Sequence, residues 1–471
     1  MFRPLTNFGG NLTFRPGGRA APRSEEELLG LLAQARSQGI RVRGAGHSWS
    51  PLIVTDGLSV DLRHFRGIEV APDRRRVRVG AGCRLKRLLR VLRRRGLTLP
   101  SLGLITEQTV AGAVATGTHG SGRHSLSHYV LSVRLAVYGP HPDDPPRMID
   151  VDQPGPLLRA TRCGLGALGV VTSLELPVVP RFGIREVLTR RQTLDQVLAM
   201  ERTHPLQQFY LIPHRWDFVV QARRAVPLPR VRPAALLYRF YWLLALDLGL
   251  HLVIKTVAAV LRSPPAIRWA FRRLLLRFLV EDVEVTDASD RMLVMEHELF
   301  RHLEMELFVP EERLALALER VTEILQLADD ASWQPSTPLE EAALRAGVEA
   351  PLRALGGTYT HHYPICVRRI LPDETLLSMA AGAHVWYAIS LITYVEPREP
   401  FFRLCAVLAP LLADELGARP HWGKWMPLDQ DRIARLYPEL PEFVRQCRRV
   451  DPTGTFANGF LRDVLGLGQA G

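Results

Sequence analysis

The sequence predicts an α+β chain of more than one domain, and three observations carry that expectation. Short alternating strands and amphipathic helices fill the first 180 residues without regular strand–helix–strand units. A long apolar helical pattern follows, and then two more strands with helices before and after. At 471 residues the chain is also several times the length of one typical domain.

In chain order, "SEEELLGLLAQARSQ", residues 24–38, opens on Ser24 and acidic residues and reads as a capped helix. "IRVRGAG" is a strand and turn. "LSVDLRHFRGIEVAPDRRRVRVGAGCRL" alternates through short strands, and "LKRLLRVLRRRG" is a basic helix stopped by Gly96. "TVAGAVATGTHGSG", Thr109 to Gly122, holds no acidic or basic side chain besides His119, so its backbone can approach a ligand closely. "HYVLSVRLAVYG" and "GVVTSLELPVVP" are strands, with Pro180 at a boundary. Residues 234–262 form a long apolar helix pattern in which Arg239, Asp247, His251 and Lys255 make a polar stripe, a poor fit to a membrane span. "IRWAFRRLLLRFLV" is then a basic amphipathic helix, suited either to a membrane interface or to packing against its own domain. "HHYPICVRRI" and "VWYAISLITYV" read as strands.

The net charge of +12 is carried almost wholly by arginine, because Lys86, Lys255 and Lys424 are the only lysines. The arginines are spread evenly and no nucleic-acid motif accompanies them, so no nucleic-acid partner is expected; a basic surface favours lipid or phosphate anions. The five cysteines are scattered and odd in number, without metal spacing. They read as reduced thiols of a cytoplasmic protein. The N-terminus lacks the apolar core of a signal peptide.

"RVRGAGHSWS", Arg41 to Ser50, places small residues around His47 just after the first helix. Such a loop can close backbone N–H groups on an anion, or it can be a plain strand-to-loop turn. "GLGALG", Gly164 to Gly169, fits the dinucleotide pattern, but a helix precedes it and a strand follows. That order is the reverse of a Rossmann site.

"GAGHS", "SLGLITEQTVAGAVATGTHGSG", "GLGALGVVTSLEL", "HWGK" and "DPTGTF", in this order, resemble the vanillyl-alcohol-oxidase-type (PCMH-type) FAD proteins. Within them the chain looks like the sugar-lactone and alditol oxidase branch, from about Asn7 to Phe460. The resemblance implies an FAD-binding PCMH-type domain of two subdomains at 1–180 and an α+β cap with an antiparallel sheet at 181–415. A C-terminal segment, 416–471, would return to the FAD domain.

It further implies FAD bonded covalently to His47. Val42, Arg43, Gly44, Ala45, Gly46 and Ser48 would surround the pyrophosphate. Thr109, Gly112, Ala115, Thr116, Thr118, His119 and Gly120 would run along the cofactor, with His119 touching the flavin or bonding its own turn. Gly166, Gly169 and Val171 would close the adenine or ribose side, and Gly103 would lie beside the oxygen-reactive carbon. Arg368 and Lys424 fall on the family's active-site arginine and lysine. Cys366 stands where relatives carry a glutamate, either as a space-filling thiol or as a changed substrate contact. With the carboxylate gone, an electropositive pocket suited to an acidic or phosphorylated sugar is expected.

The implied reaction is oxidation of a carbinol of a sugar lactone, alditol or related derivative, with electrons passing to oxygen. A membrane-associated dehydrogenase and a flavin-binding protein without turnover are the alternatives. The expected partners are a small sugar-derived substrate and an electron acceptor, with peripheral contact at the inner membrane face.

Overall fold

The computed structural model describes residues 3–468, apart from 142, 229–232, 243, 245–248, 250, 258–262, 296–300 and 395. The first helix spans Glu25–Ala35, and Ser24 Oγ accepts the Glu27 N–H at 3.2 Å. The basic helix spans Leu85–Arg94 and ends before Gly96, whose φ of +69° turns the chain away. Both follow the sequence signals.

Two sheets flank the loops of interest. In one, Leu58–Asp61 runs parallel between Gly18–Ala20 and Ile40–Arg43. In the other, five antiparallel strands follow the order 147–151, 132–137, 170–177, 76–80 and 68–70. Leu28, Leu32, Ile40, Val60, Tyr138 and Phe456 make a separate apolar core in which Phe456 stacks on Tyr138 at 5.4 Å. The C-terminal segment ties into this half of the molecule: Ile40 N–H donates to Thr455 O at 2.8 Å, and the Asn458 amide to Pro51 O at 2.8 Å.

The third large sheet has eight antiparallel strands in the order 284–288, 183–191, 218–226, 208–211, 365–370, 386–394, 302–310 and 419–420. Its register decides which side chains meet. Cys366 pairs with Ser390 on one side and Tyr210 on the other, and Glu306 pairs with Ser390. Directly paired residues point to one face. Glu306, Ser390, Cys366 and Tyr210 therefore form one row, with Arg368 and Gln208 in the next.

The described residues of the apolar middle stretch are helical, as expected, with residues 242, 244, 249, 256 and 257 in wider turns. Its α-helical runs are Pro233–Tyr241 and His251–Lys255, and Asp247 of the expected stripe lies outside the described residues. The basic helix begins at Pro264–Trp269 and continues through turns of different pitch to Phe278. Ile267, Phe271 and Leu275 bury against Leu188, Val219 and Tyr394 of the large sheet.

Candidate active site

A cleft of about 520 Å³ is walled by residues of both smaller sheets. Val42, Arg43, Gly44, Ala45, Gly46, His47 and Ser48 form one wall. Thr109, Gly112, Ala115 and Thr116 form a second, and Gly166, Gly169 and Val171 a third. Three segments distant in sequence thus converge as expected.

Close packing explains the small residues. A Cβ on Gly44 would lie 2.5 Å from Thr109 Oγ1, the atom that caps helix Val110–Ala115 by accepting the Gly112 N–H. A Cβ on Gly169 would lie 2.4 Å from the Ala136 carbonyl oxygen, and its φ is +141°. Behind the walls Arg41, 3% exposed, donates to the carbonyls of Leu52 at 2.7 Å, Leu165 at 2.7 Å, Gly166 at 3.0 Å and Phe456. Burial pulls its pKa down to about 10, so it stays charged at neutral pH. With the Leu165 carbonyl held by Arg41, the planar peptide turns the Gly166 N–H the opposite way.

Gly103, Thr118, His119 and Gly120 do not line this cleft. The chain turns after Thr116, at Gly117 with φ +74°, and carries them behind the wall. Gly103 backs onto Thr118, where an added Cβ would meet Thr118 Cγ2 at 2.6 Å. Gly120 borders a small cavity of about 30 Å³ shared with Gln208, Arg223 and Arg368. His119 does bond its own turn: Nδ1 lies 3.0 Å from Gly120 O, while Nε2 lies 3.4 Å from Glu306 Oε1.

Beside the His47 end stands a buried charged cluster. Trp49 is the link: its backbone N–H donates to Gly423 O at 2.9 Å, its indole N–H to His302 O at 2.7 Å, and Lys424 Nζ sits 4.3 Å above its ring. Lys424 is ion-paired with Glu304, which also accepts from Ser390. Arg368 Nη1 lies 3.9 Å from Glu306, and Arg368 Nε donates to Gln208 at 3.2 Å. Arg368, Lys424 and Cys366 therefore do come together, as the sequence implied.

The expected electropositive pocket is not found. Glu304 and Glu306, from the neighbouring Glu-x-Glu of strand His302–Pro310, bring two carboxylates to match the two cations. Burial alone would raise the Glu304 carboxyl, but Lys424 and His302 hold it well below the ordinary range. Burial likewise opposes ionisation of Glu306, and His119 outweighs it. Burial pushes the Cys366 thiol up, only partly offset by Arg368, so it remains neutral.

His119, Glu306 and His421 bring possible ligand atoms within 4.8 Å of one another. However, His421 Nδ1 accepts the Gly423 N–H at 2.9 Å, which leaves the neutral ring's proton on Nε2. Burial pushes this histidine down to about 3, so the neutral ring prevails. It offers the cluster a proton donor rather than a second lone pair, a donor set suited to holding a carboxylate.

Sequence reasoning missed Glu304, Glu306, His302, His421 and Arg41. A signal existed for the first three: "HLEMELFV" alternates so that His302, Glu304 and Glu306 share one face of an otherwise apolar strand.

The fold, the glycine-lined cleft and the adjoining charged cluster define an FAD-dependent oxidoreductase acting on CH–OH donors. Residues 16–137 match the family model for an FAD binding domain, and residues 174–464 match that for D-arabinono-1,4-lactone oxidase. The chain belongs to the D-arabinono-1,4-lactone oxidase family.

It is 43% identical to a long-chain alcohol oxidase of an uncultured marine euryarchaeote, over 99% of this chain and 98% of that one. It is 28% identical to the L-gulono-1,4-lactone dehydrogenase of Mycobacterium tuberculosis, over 98% of this chain and 99% of that one. A solved solvent-stable cholesterol oxidase superposes with a TM-score of 0.76 at 15% identity, covering 98% of this chain and 97% of that one, a likeness of fold.

FAD is the cofactor. The cleft suits it: Gly44 and Gly169 lie where any Cβ would collide, Arg43, Arg63 and Arg84 outnumber Asp61 along it, and Leu62, Val133 and Leu135 give it an apolar part. Among the described residues no helix is long and apolar enough to cross a membrane.

Proposed function

We propose that the chain oxidises the carbinol of a neutral alcohol, alditol or sugar lactone and passes the electrons to oxygen, giving hydrogen peroxide. FAD, when bound, supplies the hydride acceptor. In this reading His47 carries the covalent link, loop 42–48 holds the pyrophosphate, and Thr109 to Thr116 with Gly166, Gly169 and Val171 enclose the rest. Residues 1–180 with 416–471 form the FAD-binding domain, 181–415 form the cap, and the place of action is the cytoplasm.

The observation that carries the substrate class is the charge balance of the cluster. Lys424 is matched by Glu304 and Arg368 by Glu306, so neither cation stands free to recruit an acid or a phosphate. Lys424 and Arg368 donate to the substrate hydroxyl oxygen and stabilise negative charge there as its proton departs to water. Glu304 and Glu306 hold those cations in place, and Cys366 forms a neutral part of the wall. The name of the 43% identical relative, a long-chain alcohol oxidase, supports a neutral donor.

The test is peroxide release from D-arabinono-1,4-lactone, xylitol, decanol and a sugar phosphate. Higher kcat/KM on a neutral donor than on the phosphate is expected. Preference for the phosphate overturns the substrate class. Reduced flavin that persists in air overturns oxygen as acceptor.

A further inference from the structure

Eleven large apolar side chains stand exposed among the described residues, and nine of them fall between Leu228 and Val283. On helix Pro233–Tyr241, Leu236, Leu237 and Phe240 share one face, with Leu237 69% and Phe240 59% exposed. Ala235 and Tyr238 of the same helix are buried against Ile184 and Val285. The helix is thus anchored by one face and presents a second apolar face outward. Leu244, Leu252 and Trp269 extend the exposed set.

The charge of this segment is as lopsided as its polarity. Residues 228–283 carry nine arginines and lysines against three acidic residues, Asp247, Glu281 and Asp282. Trp269, Arg273 and Arg277 are all exposed along the helical turns from Pro264 to Phe278. Exposed apolar patches of this kind mark contact surfaces. A cationic face carrying aromatic and leucine side chains suits an anionic lipid surface. A second copy of the chain fits less well, because a two-fold contact would set one basic segment against another.

We propose that the described exposed side chains between Leu228 and Val283 form a docking face for an anionic lipid bilayer. Leu237, Phe240 and Trp269 enter the interfacial layer, and Arg273 and Arg277 meet the headgroups. The segment lies on the membrane rather than across it, in keeping with the absence of a spanning helix among the described residues. The docking face is defined by surface side chains alone and does not depend on the oxidase chemistry. Inward, the same layer packs against Tyr210, the ladder partner of Cys366, so docking sets the charged cluster close behind the membrane-facing helices.

The test is co-sedimentation of the holoenzyme with vesicles of equal parts phosphatidylglycerol and phosphatidylcholine, against phosphatidylcholine alone. Wild type is expected to pellet with the anionic vesicles at low salt and to be released as salt rises. Leu237→Glu with Phe240→Glu should weaken partitioning by about tenfold or more. Each of Arg273→Ala and Arg277→Ala should weaken it by about fivefold and reduce the salt dependence. Because these side chains are exposed, flavin content and melting temperature should stay unchanged and confirm folding. Wild type that remains in the supernatant at low salt overturns the proposal, as does equal binding by the Leu237→Glu, Phe240→Glu variant. A dimer abolished by that variant, without vesicle binding, assigns the face to a second copy instead.

Discussion

Arg368 has its carboxylate partner two strands away rather than on its own strand: Nη1 lies 3.9 Å from Oε1 of Glu306. Residue 366, two positions before the arginine and on the same face, is a neutral thiol. Glu306→Gln should lower kcat/KM by about 10- to 100-fold, the scale of one charge-assisted contact. Cys366→Ala should change it by less than about threefold, since a buried neutral thiol mainly fills space. Cys366→Glu in the Glu306→Gln background should restore part of the loss. No recovery, with flavin content intact, would remove Glu306 from its role beside Arg368.

His47 lines the cleft and its ring stacks on Phe8 at 4.7 Å. A covalent link there should leave fluorescent flavin on the denatured protein band. His47→Ala should lose that fluorescence while still binding FAD that acid releases. Complete release of yellow colour from the wild type by acid would contradict the linkage.

Gly103 is pressed against Thr118, so Gly103→Ala does two things at once. The new methyl collides with Thr118 Cγ2 and perturbs the turn that holds His119. Thr118→Ser removes that methyl. Because residue 103 stands behind the cleft wall, the double variant should recover both substrate-driven flavin reduction and reoxidation by oxygen. Reoxidation that stays slow in the double variant would instead put residue 103 in control of oxygen access.

The fold was legible where signals are local. Ser24 capped its helix, Gly96 stopped another, and the small residues marked the cleft because no Cβ fits at Gly44 against Thr109 or at Gly169 against Ala136. The partners of Arg368 and Lys424 were not legible in that way. Glu304 and Glu306 reach them only through the order and register of the large sheet, which no local pattern encodes. The middle helices show a third case. Their apolar residues were plain in the sequence, but periodicity does not say which apolar face finds a cover, and the structure leaves Leu237 and Phe240 without one.

Buried neutral histidines give the stability a definite pH dependence. Burial pushes His421 down to about 3 and His362 down to about 4. In the unfolded chain a histidine takes up its proton near about 6.5, so below that value only the unfolded state gains it. Stability should fall as pH drops from about 7 to about 5, by up to about 1.4 kcal/mol per pH unit for each histidine. Melting curves across that range should show the slope, and His421→Gln should flatten it. A melting temperature that rises on acidification would contradict this account.

In the proposed reaction the charged cluster beside the cleft receives a neutral carbinol whose hydride leaves to the bound flavin. Anaerobic mixing of the holoenzyme with decanol, xylitol or D-arabinono-1,4-lactone, followed at the oxidised-flavin absorption band, tests it most directly. At least one neutral donor should bleach the band within a turnover, and Lys424→Ala should slow the bleaching by about tenfold or more. A band that stays unbleached with every neutral donor, yet bleaches with a phosphorylated sugar, would contradict the account.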